Sequence, residues 1–222
     1  MNYDAVLFDL DGTLLNTLED LGASMNRALA RLGFPPHRIA SYKIFVGEGL
    51  AVLAERALPQ DRRDEASIRA CVEAMDDDYA IHCMDQTKPY EGVAPLLAGL
   101  AKRTVKLAVL SNKPHAMTTL LVGHYFPRTI FHSVNGARDG VPKKPHPHGA
   151  IEAARQLKID PSRFLYLGDS GVDMDAATSA GMFPVGALWG FRDARELLAH
   201  GAKALIEHPP ELLKIADCEM VV

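Results

Sequence analysis

Two aspartates close the first apolar run of the chain: Ala5-Val6-Leu7-Phe8 leads into Asp9-Leu10-Asp11-Gly12-Thr13. An ionised carboxylate beside a buried strand is costly to desolvate, so a pair at one strand end calls for a reason. Along extended backbone, residues i and i+2 point to the same side, and Asp9 and Asp11 can therefore converge. Three more strand ends carry complementary groups. Ser111-Asn112-Lys113 follows the run 105–110 and offers a hydroxyl and backbone amides to an anion. Gly168-Asp169-Ser170 ends the run 164–167, and Asp173 falls in the first turn of the helix that follows, where the macrodipole favours an acid. Lys144 stands in Pro142-Lys143-Lys144-Pro145-His146-Pro147, whose prolines restrict the backbone.

Clustered carboxylates with few nitrogen ligands select a hard cation such as Mg²⁺. Asp9, Asp11, Asp169 and Asp173 are the candidate ligands. The cation, Lys144 and the Ser111 hydroxyl would together surround a phosphoryl group, and a carboxylate can then attack phosphorus to form an acyl phosphate. Each residue alone has a plainer reading, as a polar turn, a helix start or a surface lysine. Their joint placement at the strand ends of one sheet favours chemistry, because ligands bind there in open α/β folds.

The elements that position these residues are legible as runs. Residues 5–8, 105–110, 130–134, 164–167 and 184–188 are continuous and apolar, with a weaker run at 204–206. Unbroken apolar strands of this length suit a parallel sheet buried on both faces. Helical spacers lie between them: Ile151, Ala154 and Leu157 recur in steps of three, as do Ala177 and Ala180. The alternation predicts a doubly wound parallel sheet, a Rossmann-like α/β core.

Residues 16–88 break that alternation and read as helices only. Thr17 and Asp20 read as a capping box, opening a helix with the stripe Leu18, Leu21, Met25, Leu29 and Leu32. Gly33 and Pro35-Pro36 stop it. A second helix carries Leu50, Leu53, Ala57 and Leu58, and a third carries Ile68, Val72, Met75 and Tyr79. The simplest organisation is a core of residues 1–15 and 89–222 with an all-helical cap subdomain, 16–88, inserted after the first strand. Hinges are expected near 15–16 and 88–92.

Composition bounds the rest. The 222 residues amount to about 1.5 domains of typical size. Hydrophobic residues at 48% and charged residues at 23% exclude disorder, collagen and coiled coil. With 24 Lys+Arg against 28 Asp+Glu the net charge is −4, and without a basic field no nucleic-acid partner is expected. Asp76-Asp77-Asp78 reads as a solvated helix face. No run reaches the ~18 apolar residues of a membrane span. Met1-Asn2-Tyr3-Asp4 lacks the basic-then-apolar pattern of a signal peptide. Three widely spaced cysteines, Cys71, Cys83 and Cys218, support neither a zinc site nor a disulfide framework. The expectation is a cytoplasmic protein, monomer or homodimer, that acts on a small metabolite and binds no membrane.

Asp9-x-Asp11-Gly12-Thr13, Ser111-Asn112, Lys144 and Gly168-Asp169-Ser170-x-x-Asp173, in this order, resemble the four motifs of the haloacid dehalogenase-like phosphohydrolases. The resemblance covers essentially the whole chain, helical insertion included. Phe45-Val46-Gly47-Glu48-Gly49-Leu50, Ser111-Asn112-Lys113-Pro114, Lys144-Pro145-His146-Pro147 and Trp189-Gly190-Phe191 are similar to the phosphoglycolate phosphatase-like branch. The resemblance implies Asp9 as nucleophile and Mg²⁺ ligand. It implies Asp11 as the acid and base that also reaches the metal through its carbonyl. Asp169 and Asp173 complete or orient the metal's ligands. Thr13, Ser111, Asn112 and Lys144 hold the phosphoryl group, and Gly47 and Gly49 let the cap backbone approach a small substrate. The implied reaction is Mg²⁺-dependent hydrolysis of a small phosphorylated metabolite, with 2-phosphoglycolate the first candidate. Alternatives of the same superfamily are a β-phosphoglucomutase-like mutase, a broad sugar-phosphate phosphatase and a pyrophosphatase. Asp11 argues against a dehalogenase, which lacks the second acid, and against a phosphonate hydrolase, which has Ala there. Intact motifs argue against a catalytically silent binding protein.

Overall fold

The structure, a computed structural model, describes residues 3–217; Met1, Asn2 and Cys218 lie outside the described residues, and the readings made on them with them. By their internal contacts the residues divide into two compact units, Met1–Leu15 with Pro89–Val222, and Asn16–Lys88. Strand β1 (Ala5–Phe8) and the short β2 (Leu15–Asn16) come first. Helices α1 (Leu18–Arg31), α2 (Tyr42–Phe45), α3 (Leu50–Ala57) and α4 (Glu65–His82) follow, then the short β3 (Lys88–Pro89). Alternation then sets in with α5 (Val93–Lys102), β4 (Lys106–Pro114), α6 (His115–Tyr125) and β5 (Ser133–Ala137). The chain continues through α7 (His148–Leu157), β6 (Phe164–Gly168), α8 (Gly171–Ser179) and β7 (Phe183–Ala187). It closes with α9 (Ala194–Ala199), β8 (Ala204–Ile206) and α10 (Leu212–Asp217). None of these helices is long and apolar enough to cross a membrane.

Six strands form one parallel sheet in the order β5-β4-β1-β6-β7-β8. This is the doubly wound α/β core that the alternation predicts, and residues 16–88 are the inserted helical part. The winding leaves β1 toward β4 and β5, then returns across the sheet to β6, β7 and β8. The point of reversal therefore sits at β1, flanked by β4 and β6, where the crevice of an open α/β sheet opens. Alternation along β1 feeds two layers. Ala5 and Leu7 pack with Ala108, Leu110, Phe164 and Tyr166 against alanines of α7 and α8. Phe8, on the opposite face, meets Phe131 edge-on at 6.5 Å between ring centroids. All four residues of β1 are wholly buried, so the sheet can carry a continuous apolar strand there.

Three local expectations differ from the structure. The strand expected at 130–134 is Ser133–Ala137, and Ile130 is 76% exposed in the loop before it. Pairing with β4 sets that register, Ala108 against Ser133 and Leu110 against Asn135, and an apolar run in a loop carries no such constraint. The strand expected to stop before Ser111 runs on to Pro114, after a register shift, because β5 continues to pair with it at Ala137. Thr17 makes no capping hydrogen bond, and Asp20 does not serve as the partner in a capping box. The Asp20 carboxylate instead accepts the backbone N–H groups of Gln86 (2.9 Å) and Thr87 (2.8 Å).

The helical unit is built on α1 and α4. Leu21, Met25, Ala28 and Leu29 line one face of α1, and Cys71, Ala74, Met75 and Tyr79 the facing stripe of α4. The Cys71 thiol lies 3.4 Å from the Met25 sulfur, and Cys71 and Cys83 are both buried. Of the acidic run, Asp76 and Asp77 face solvent as expected, while Asp78 pairs with Arg27 at 2.7 Å. These two acids make opposite predictions. Asp20→Ala strands the buried N–H of Thr87 and frees the N–H of the exposed Gln86, and is expected to destabilise this unit by about 1–3 kcal/mol. Asp78→Ala removes a pair whose arginine is 43% exposed, and is expected to cost under ~1 kcal/mol. Urea denaturation followed by circular dichroism tests the ranking, and equal losses would contradict it.

Candidate active site

The carboxyl ends of β1, β4 and β6 and the loop after β5 bring the sequence-singled residues of the core together. Asp9 follows β1 directly, its N–H held by the Leu167 carbonyl of β6 at 2.9 Å. Gly12, at φ +89°, then turns the chain so tightly that a Cβ there would lie 2.1 Å from an Asp169 oxygen. Only glycine allows both that conformation and that approach. Thr13 is wholly buried, with its hydroxyl 3.5 Å from Asp169 Oδ1.

Asp9, Asp169 and Asp173 form a buried cluster in which one oxygen of each lies within 4.8 Å of the others. The Lys144 ammonium sits against it. Its donors reach Asp9 Oδ1 and Asp173 Oδ1, both at 2.7 Å, and the Leu110 carbonyl at 3.1 Å. The surface reading of Lys144 does not hold, since its side chain is 2% exposed. Asn112 explains how it stays inside. The Asn112 amide donates to the Lys144 carbonyl at 3.0 Å and its oxygen accepts the Lys144 N–H at 2.9 Å, so the β5–α7 loop is clamped to β4. Ser111 is buried beside it and accepts the Lys113 N–H at 3.2 Å.

Asp173 is the most heavily held of the acids. Oδ1 accepts from Lys144 and from the Tyr166 hydroxyl at 3.2 Å. Oδ2 accepts the Ser170 hydroxyl at 2.5 Å and the Ser170 N–H at 3.2 Å. Ser170 and Asp173 also form a reciprocal capping box at the start of α8, so the helix end and the cluster share one carboxylate. Asp169 has fewer donors, chiefly the Phe191 N–H at 2.7 Å. Burial raises Asp9 well above the usual carboxylate range, with the Asp173 charge adding to it against the pull of Lys144. Burial, then the Asp173 charge, pushes Asp169 up to about 7. Burial opposes the charge on Lys144, but Asp173 and Asp9 together outweigh it and hold the lysine well above its ordinary value.

Three contributors escape the sequence reading. Lys113 Nζ lies 3.0 Å from both oxygens of Asp11, a pair 102 residues apart with no local signature. Tyr166 reads only as a core strand residue. The loop after β7 has no site role in the sequence reading, yet Trp189 Nε1 donates to the Thr13 carbonyl at 3.0 Å and Phe191 N–H to Asp169. Gly190 lies so close that a Cβ would stand 2.2 Å from the Asp169 Cβ. Gly47 and Gly49 belong to the helical unit, at φ +128° and +93° in the turn between α2 and α3.

Relatives and solved structures match this chain over nearly its full length. The family model described as haloacid dehalogenase-like hydrolase matches residues 6–187. The phosphoglycolate phosphatase of Pseudomonas putida is 32% identical over 212 residues, covering 94% of this chain and 78% of its own. The N-acetylmuramic acid 6-phosphate phosphatase of Pseudomonas aeruginosa is 31% identical over 221 residues, covering 98% and 96%. A crystal structure from Lactobacillus delbrueckii subsp. bulgaricus superposes with a TM-score of 0.91 at 29% identity, covering 97% of this chain and 99% of that one. With buried acids gathered at the switch point of such a fold, the chain belongs to the haloacid dehalogenase-like hydrolases and is an enzyme of their phosphatase group.

Proposed function

We propose that this phosphatase hydrolyses 2-phosphoglycolate to glycolate and phosphate through an aspartyl-phosphate on Asp9, with Mg²⁺ as cofactor. The observation that carries the reading is the Asp9–Lys144 pair at 2.7 Å inside a buried carboxylate cluster. The cluster suits a hard cation. Its donors are all carboxylate oxygens, and burial with mutual repulsion raises Asp9 and Asp169. Because protein donors already occupy both oxygens of Asp173, Asp9 and Asp169 are the residues to hold the ion, joined by the Asp11 carbonyl. The bound ion supplies charge neutralisation at the phosphoryl oxygens.

The chain's own residues perform the rest. The Asp9 carboxylate attacks phosphorus, and Asp11 protonates the departing alkoxide oxygen. Asp11 then takes the proton of a water that attacks the aspartyl-phosphate, which releases phosphate and restores Asp9. Lys144 offsets the charge gathering beside Asp9, while the Ser111 hydroxyl and Thr13 hold phosphoryl oxygens. Asn112 serves that step by fixing the backbone of Lys144. The resemblance in sequence adds Gly47 and Gly49 as contacts to the leaving group. The proposed compartment is the cytoplasm, in keeping with cysteines that are few, odd in number and widely spaced.

Asp9→Asn is expected to lower phosphate release from any phosphomonoester at least about a thousandfold and to abolish the phosphoenzyme. Substantial remaining turnover would remove Asp9 as nucleophile. Among 2-phosphoglycolate, N-acetylmuramic acid 6-phosphate, hexose phosphates and pyrophosphate, the first should show the highest kcat/KM. A hexose phosphate ranking above it would refute the substrate assignment.

Ion binding should also depend on pH. In the ion-free protein a carboxyl whose pKa exceeds its unfolded value favours the fold only while protonated. Asp169 thus contributes fully below its unfolded value near 3.8, and the contribution is lost as pH rises through about 7. The cation must displace that proton. The rise in thermal midpoint on adding Mg²⁺ should therefore be larger at about pH 8 than at about pH 5.5. Equal shifts at both pH values would count against Asp169 as a ligand.

A further inference from the structure

Lys113 has no part in the mechanism above, yet it is as deeply placed as the residues that do. It lies near the end of β4, its side chain 4% exposed, with Nζ 3.0 Å from each Asp11 oxygen. Its backbone is fixed from both sides: its N–H donates to Ser111 Oγ at 3.2 Å, and its carbonyl accepts the Thr118 hydroxyl at 3.2 Å. Neighbouring β5 approaches so closely that a Cβ on Gly136 would stand 2.7 Å from that carbonyl. The ammonium is thus carried on a rigid strand and aimed at Asp11.

Charge placement gives this position a meaning. Lys144 is committed to Asp9 and Asp173. The phosphoryl group is met at that side of the site. In the proposed mechanism Asp11 serves the other side, the oxygen of the leaving group, which would put Lys113 one side chain beyond that oxygen. A second anion entering here approaches Asp11, a carboxylate, and is repelled unless a cation stands with it. Lys113 is a cation in contact with Asp11. In a phosphorylated 2-hydroxy acid a single carbon separates the ester oxygen from the carboxylate, which keeps the second anion beside Asp11. A sugar acid phosphorylated far from its carboxylate holds that charge out of reach.

Resting on the phosphatase reading above, we propose that Lys113 is the specificity residue that receives an anionic group carried one carbon from the ester oxygen. The substrates it selects are phosphate esters of 2-hydroxy acids, and a neutral alcohol of the same size gains nothing from it.

The test compares 2-phosphoglycolate with ethyl phosphate, its match in size without the carboxylate, in the Mg²⁺-loaded enzyme. Lys113→Gln removes the charge but keeps a donor for Asp11, and Lys113→Arg keeps the charge. Loss of support for Asp11 affects both substrates and cancels in their ratio. The ratio of kcat/KM values should fall about tenfold or more in Lys113→Gln, chiefly through the KM for 2-phosphoglycolate, and recover in part in Lys113→Arg. A ratio unchanged within about twofold in Lys113→Gln would overturn the inference while leaving the phosphatase reading intact. A wild type that favours neither substrate overturns both the inference and the 2-phosphoglycolate assignment. A wild type preferring 2-phospholactate ends that assignment alone; the same ratio, read against isopropyl phosphate, then decides the role of Lys113.

Discussion

An ammonium has three hydrogens, and in this protein each of those of Lys144 has a buried oxygen to meet: Asp9, Asp173 and the Leu110 carbonyl. Much of the surrounding structure serves that arrangement. Two carboxylates this close in a dry interior repel each other, and without a cation between them one would have to take up a proton. The lysine in turn would not stay buried without both acids. Neither side of the pair is stable inside alone, so the loop carrying Lys144 and the strand ends carrying the acids have to be held together by other means. Asn112 does this on one side with its two amide hydrogen bonds, and Ser170 and Tyr166 do it on the other by saturating Asp173.

The resulting site is polarised. Asp173 is fully engaged by protein donors, while Asp169 has a short hydrogen bond from the Phe191 N–H and is pushed up to about 7. Three acids of one type therefore differ in how much of their charge the protein has already met. The glycines at 12 and 190 let backbone approach Asp169 where any side chain would collide. Such close walls keep Asp169 buried, and charge interactions are stronger at the low local dielectric of an interior.

Relatives of 31–32% identity bear names with two different leaving groups, a glycolate and a muramic acid. What they share with this chain extends over nearly its whole length, so overall identity does not separate one leaving group from the other. Discrimination falls to individual groups near the leaving-group oxygen. In the mechanism proposed above the α/β unit contributes Asp11 there, with Lys113 as its partner.

The apolar runs at 5–8 and 164–167 made their strands legible, because burial on both faces leaves a continuous hydrophobic signature. The Asp9-x-Asp11 spacing and the acids after β6 were legible for the opposite reason, since charge is out of place beside such runs. The stripe from Leu21 to Leu29 marked α1 by its period. The run at 130–134 misled because hydrophobicity reports what is apolar, whereas pairing with β4 decides which residues become strand. Thr17 and Asp20 have the spacing of a capping box, yet Asp20 is claimed by N–H groups 66 and 67 residues away. Lys113 and Lys144 look alike in sequence, each a lysine with a polar residue before it and a proline after it. Their fates were decided by strand order, which brings them to Asp11 and Asp9 across 102 and 135 residues. Residue type and local spacing determined which groups could do chemistry and which segments were strand or helix. Which cation answers which carboxylate depended on the parallel sheet laying β4 and β6 on either side of β1, and only the tertiary structure decides that.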